Sequence, residues 1–135
     1  MYLAKVIDYI AEEDTWENGC IPSDTCVSKG NDYPFHGEKS FETCKELLEF
    51  LKKNTYGSCW YGFQDPYEEN SKEKIIIISF YEDIDGNAVY ENEPIWEDWK
   101  KGKARLWSCE VLIRVKKVEL LDFENELEES GFETA

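Results

Sequence analysis

Arg105-Leu-Trp-Ser-Cys-Glu-Val-Leu-Ile-Arg-Val-Lys-Lys-Val118 is the stretch on which the fold turns. Trp107, Cys109, Val111, Ile113 and Val115 fall on one side of an extended chain, and Ser108, Glu110, Arg114 and Lys116 on the other, with Leu112 the exception. Successive side chains of a strand point to opposite faces, so this alternation predicts a long strand with one buried and one wet face. A sheet with one wet face needs its other face covered by a helix or a second sheet.

Upstream, Lys74 to Tyr81 carries Ile75–Ile78, Phe80 and Tyr81, whose β-branched and aromatic content predicts a central strand buried on both faces. Asp85-Gly86-Asn87 then predicts a hairpin turn returning through Ala88-Val89-Tyr90. Pro94 opens a short helix near 94–101, Ile95 to Lys101, which Gly102 ends. Ser58 to Phe63 reads as a short strand and Tyr2 to Ile10 as the first one, closed by Glu12-Glu13-Asp14. Residues 12 to 39, rich in Gly, Pro, Asn, Asp and Ser, read as a long irregular loop.

The covering element is a helix over about 40–54. Phe41, Cys44, Leu47, Leu48 and Leu51 recur at three- to four-residue spacing, Ser40 is placed as its N-cap, Glu42 suits the first turn, and Lys52 and Lys53 suit the last. The expected fold class is α+β, an antiparallel sheet of about four to five strands with this one main helix on one face. Residues 1–121 form a single domain, and 122–135, with six acidic residues and no basic one, an acidic C-terminal tail or frayed helix.

Composition limits the functions open to this fold. Thirty acidic against fifteen basic residues give a net charge of −15. Nucleic-acid binding requires the opposite sign to displace counterions from phosphate, and an anionic membrane surface would repel the chain. An aromatic content of 15% marks a chain that folds rather than a disordered acidic one. The five cysteines are odd in number, Met1 to Ile10 has no leader-like apolar core, and no apolar run approaches membrane-spanning length, which together predict free thiols and a cytoplasmic location.

Familiar chemistry finds little support. Asp83-x-Asp85-x-Asn87 begins like a calcium loop, but Ala88 and Pro94 stand where that loop needs Gly and Glu. Cys20 and Cys26 are too widely spaced for a zinc knuckle. No phosphate-binding glycine loop, nucleophile elbow or HExxH helix is present, so no metal, no cofactor and no catalytic residue is assigned. His36 is the only histidine, and an enzyme of the cysteine–histidine kind would have to use it with Cys20 or Cys26 from the same loop.

Charge arrangement is more informative. Glu82, Asp83, Asp85, Glu91, Glu93, Glu97 and Asp98 occupy one window without a single Lys or Arg, interleaved with Tyr90 and Trp96 and followed by Trp99. Lys100 to Lys117 then holds seven basic residues against Glu110 alone. Carboxylates with embedded aromatics suit a basic groove, the acids standing in for phosphates and Tyr or Trp giving anchoring area. These ten residues are the expected partner interface, and the partner a basic protein, such as a nuclease or another nucleic-acid-binding effector. The competing expectation makes the carboxylates a solvated surface and packs Trp96 and Trp99 in the core. An adaptor domain, homodimeric through a strand edge, is the remaining alternative.

Overall fold

The computed structural model describes residues 1–15, 19–20, 26–67, 72–117 and 123–135. The class is α+β, as the alternation predicts, and the alternating strand is its centre. That strand, β7 (Leu106–Lys117), lies between β1 (Tyr2–Thr15) and β6 (Glu73–Glu82), antiparallel to both. β5 (Trp60–Gln64) continues the sheet beyond β6.

The sheet is larger than the expected four to five strands: eight are present among the described residues. Three of the extra ones come from the segment read as loop. β1 runs to Thr15, through the acidic cluster expected to end it. Its outer edge pairs in turn with β4 (Glu38–Phe41) at Tyr2–Lys5, β3 (Val27–Ser28) at Ile10–Ala11 and β2 (Gly19–Cys20) at Asp14–Thr15. The fourth, β8 (Glu133–Thr134), is parallel to β5, so the sheet is not wholly antiparallel.

Register assigns the faces. Cα partners Ile76–Ile113, Ile78–Val111 and Phe80–Cys109 place one layer of apolar side chains on the helix side. In β1 that side takes Tyr2, Ala4 and Val6, and strict alternation would next send Asp8 into the core. A register shift between Val6 and Asp8 resets the parity, so that Tyr9 and Ala11 are buried instead. A bulge of this kind is how a strand re-aims its side chains without breaking the sheet.

Helix α1 (Cys44–Asn54) covers this layer with Cys44, Leu47, Leu48 and Leu51. Its N-cap is Thr43 rather than Ser40: Thr43 Oγ1 accepts from Glu46 N at 3.1 Å, and Glu46 Oε2 accepts from Glu42 N at 3.1 Å. Ser40 and Phe41 belong to β4, where Phe41 pairs with Tyr2. Helix α2 (Pro94–Lys100) has the expected span but lies on the other face, where Trp99, Leu106 and Val89 form a second small core with Tyr81 and Trp96 against them. The hairpin return is shorter than expected. Ala88 makes one isolated bridge to Glu82, and Val89 N donates to Tyr81 O at 2.8 Å before the chain turns toward α2.

The largest departure is at the C-terminus. In place of a tail or frayed helix, α3 (Phe123–Ser130) packs beside α1, and Phe123, Leu127 and Phe132 join the main core. Lys117 supports it: this lysine ends β7 on the apolar side, only 3% exposed, with its ammonium 2.7 Å from Glu126 Oε1 and near the rings of Tyr2 and Phe123. A buried ammonium requires such a partner. Replacing Leu127 by Ala is expected to cost about 2–5 kcal/mol in urea unfolding, against less than about 0.5 kcal/mol for Glu129→Ala on the exposed side of the same helix.

Candidate functional site

The parity that buries Ile76, Ile78 and Phe80 also turns Glu82 inward, because two residues further along β6 lies the same face. Glu82 is 4% exposed, opposite Trp107 and next to Phe80. Its Oε1 accepts from the Tyr9 hydroxyl, and its Oε2 from the Lys29 ammonium. Lys29 reaches it from just beyond β3, where Lys29 N donates to Tyr9 O at 2.6 Å and Ser28 Oγ donates to Asp8 Oδ1 at 2.9 Å.

Two clefts meet at this pair. One, of about 290 Å³, is bounded by Val27, Ile84 and Trp107 as well as Lys29 and Glu82. The other, of about 490 Å³, is walled by Tyr9, Tyr33, Tyr56, Phe80 and Tyr90, with Glu82 at its floor. The rings of Tyr9, Tyr33 and Phe80 are clustered, with centroids 5.2 Å, 5.9 Å and 6.1 Å apart pairwise. Tyr33 comes from the connection between β3 and β4, and its hydroxyl accepts from Tyr56 N at 3.3 Å. Burial pushes the Tyr33 phenol up to about 12.

Burial also raises the Glu82 carboxyl above its usual range, opposed by a hydrogen bond from the Cys109 thiol and reinforced by repulsion from Asp83. Its neighbour Cys109 is pushed up to about 12 by burial first and then by the Glu82 charge. A carboxylate held in an aromatic cleft, its proton affinity shifted by desolvation, is the pattern found at functional sites.

The ten residues expected at a partner interface do not share one environment. Glu82 is buried in the cleft. Asp83 is half-buried, its Oδ1 accepting from Asp85 N and Asn87 N, both at 2.9 Å, and so holding the turn in which Gly86 adopts φ +86°. Glu93 Oε2 accepts from Tyr90 N at 3.2 Å at the entry to α2. Trp99, expected as an anchor, is 3% exposed in the second core, and Trp96 is half-buried against it with ring centroids 4.9 Å apart. Asp85, Glu91, Glu97 and Asp98 remain exposed, with Tyr90 43% exposed among them.

His36 Nδ1 lies 2.6 Å from Asp32 Oδ1 on an exposed turn, with the imidazole 87% exposed. Cys26 is a free, exposed thiol, and the side chain of Cys20 lies outside the described residues. Cys44, Cys59 and Cys109 are all shifted upward by burial, the reverse of what a nucleophilic thiolate requires. Among the described residues, no group of three or more His, Cys, Asp or Glu is placed to hold a metal ion, and no helix is long and apolar enough to cross a membrane.

Tyr9, Tyr33, Tyr56 and Lys29 carry the cleft but stand out in no sequence window, since the four arrive from three separate segments. The inward direction of Glu82 follows from the pairing of β6 with β7 and not from its own sequence, where Ile75–Ile78 are apolar on both faces. No protein-family model, curated protein or solved structure matches the chain.

The raised Glu82 carboxyl gives a pH test. A folded-state affinity for the proton above the unfolded one adds stability below the ordinary carboxyl range, and that contribution is lost as pH rises through the folded value. The stability of the native protein relative to Glu82→Gln is therefore expected to increase as pH falls from 7.5 to 4, measured by urea unfolding of both proteins at each pH.

Proposed function

We propose that this chain is an acidic, non-enzymatic binding protein that occludes a basic site on a nucleic-acid-acting protein. The observation that carries the reading is the exposed set Asp85, Glu91, Glu97 and Asp98, which flanks the half-exposed Tyr90 in the sequence that follows β6. Four exposed carboxylates can face the basic groove of a phosphate-binding partner, and the amphipathic Tyr90 supplies contact area. The chain's −15 charge favours approach to a basic surface and disfavours direct contact with nucleic acid or anionic lipid.

Two biological settings suit such a protein: a phage-type anti-defence protein that imitates nucleic acid, or an immunity protein that neutralises a nuclease toxin. In both, inhibition needs only occlusion, so no catalytic group is required of this chain.

The test is kinetic. A partner captured from host or competitor cells should associate at a rate that falls about tenfold or more as salt is raised from low to physiological strength, as steered encounters do. Combining Asp85→Asn, Glu91→Gln, Glu97→Gln and Asp98→Asn should slow association at low salt and relieve inhibition of the partner's nuclease or nucleic-acid-binding activity. An association rate insensitive to salt and to these four substitutions overturns the reading.

A further inference from the structure

The tyrosine-walled cleft has chemistry that the exposed acidic set does not. Its floor is the buried Glu82 carboxylate with Lys29 as its ion-pair partner and its walls are mostly aromatic faces, so an occupant that displaces Lys29 must itself be cationic or leave the Glu82 charge unpaired. A hard inorganic cation would want several oxygen ligands, whereas Glu82 and the tyrosine hydroxyls offer few. What fits is an organic cation with a flat, weakly hydrated head, which can lie against aromatic faces while hydrogen-bonding the carboxylate.

The chain itself shows that a cation is accepted there. Lys29 extends into the junction of the two clefts, its ammonium 4.9 Å from the centroid of the Tyr9 ring and paired with Glu82 Oε2. The Lys29 backbone is held by its bond to Tyr9 O, but its side chain is 34% exposed and can swing to solvent without disturbing that bond. Its ammonium meets one oxygen of the carboxylate while Tyr9 holds the other, so the resident contact is not the forked, two-bond contact that a guanidinium makes.

Resting on the reading of this chain as a binder of basic proteins, we propose that the Glu82 cleft receives one arginine side chain of the partner, with Lys29 as the resident cation that the arginine displaces. The guanidinium stacks between Tyr33 and Tyr90, forks onto Glu82, and releases the Lys29 ammonium to solvent. Tyr56, 62% exposed, forms the remaining wall. The acidic set then governs encounter, and the cleft governs retention.

The probe is N-acetyl-arginine methylamide, with its citrulline counterpart as the uncharged isostere, followed by backbone amide NMR shifts in the full chain. Saturable shifts at Tyr9, Lys29, Tyr33 and Tyr90 are expected for arginine and none for citrulline. Lys29→Gln should tighten binding several-fold by removing the competing cation, Glu82→Gln should abolish it, and Tyr90→Ala should weaken it several-fold. Tyr90 is surface-exposed, so its variant keeps the test open if the Glu82 variant does not fold. Equal shifts with citrulline, no saturation, or affinity unchanged in Lys29→Gln and Tyr90→Ala overturns the proposal. An octa-arginine peptide separates the two readings. Salt-sensitive binding that survives Tyr90→Ala and Glu82→Gln but is lost on neutralising Asp85, Glu91, Glu97 and Asp98 would overturn the cleft and leave the acidic docking surface standing. Glu82-dependent arginine binding, with partner association indifferent to salt, would do the reverse.

Discussion

Alternation along β7 is the constraint around which the rest of the chain is arranged. Both edges of this strand are hydrogen-bonded, to β1 and β6, so its two faces carry all the remaining demands. The face with Cys109, Val111, Ile113 and Val115 must be sealed, and α1 and α3 seal it. The opposite face is polar at Glu110, Arg114 and Lys116, apolar at Leu112 and again at Leu106, and α2 sits over the Leu106 end. The ends of β6 and β1 are drawn to the same end of the sheet by pairing with Leu106–Ser108. Residues from distant parts of the chain therefore converge there without a dedicated scaffold.

That convergence imposes an electrostatic cost. Glu82 continues the inward parity of β6, and an unpaired carboxylate in an aromatic layer would be strongly unfavourable. Tyr9 and Lys29 offset the cost, yet a buried ion pair seldom outperforms an apolar side chain of similar volume. A Leu or Met at position 82 would continue the Ile76–Ile78–Phe80 row with no charge to compensate. Stability alone therefore gives little reason for the Glu82–Lys29 pair, and the arginine site proposed above would supply one.

Local sequence was informative wherever a single element decides its own conformation. The period of β7, the apolar spacing of Cys44, Leu47, Leu48 and Leu51, and Pro94 before α2 all led to the elements observed. Misreadings arose where pairing over long distance decided. Phe41 fits the apolar face of a helix equally well, and its choice of β4 depends on Tyr2, although the Thr43-x-x-Glu46 capping pattern was there to mark the true helix start. Glu12 to Asp14 look like the end of a strand in isolation but continue one because Leu106–Ser108 are available to pair. In α3 the density of Glu conceals Phe123, Leu127 and Phe132, whose spacing is that of a docked helix and its C-terminal anchor. Of the site, Glu82 was legible as a residue but not as a direction, because Ile75–Ile78 are apolar on both faces and blur the parity.

The acidic window illustrates how a charge count and a contact surface diverge. Seven carboxylates between positions 82 and 98 read as a uniform arm, yet Glu82 faces the core and Asp83 and Glu93 accept from backbone amides. Of the seven, Asp85, Glu91, Glu97 and Asp98 are exposed. Long-range attraction does not make this distinction, since at physiological ionic strength every charge within about 8 Å of an approaching surface contributes. In the proposed binding, steering draws on the surface charge within that range, whereas specificity comes from the few groups that touch the partner. Those are the four exposed carboxylates, Tyr90, and the one carboxylate that the sheet's own periodicity has turned away from solvent.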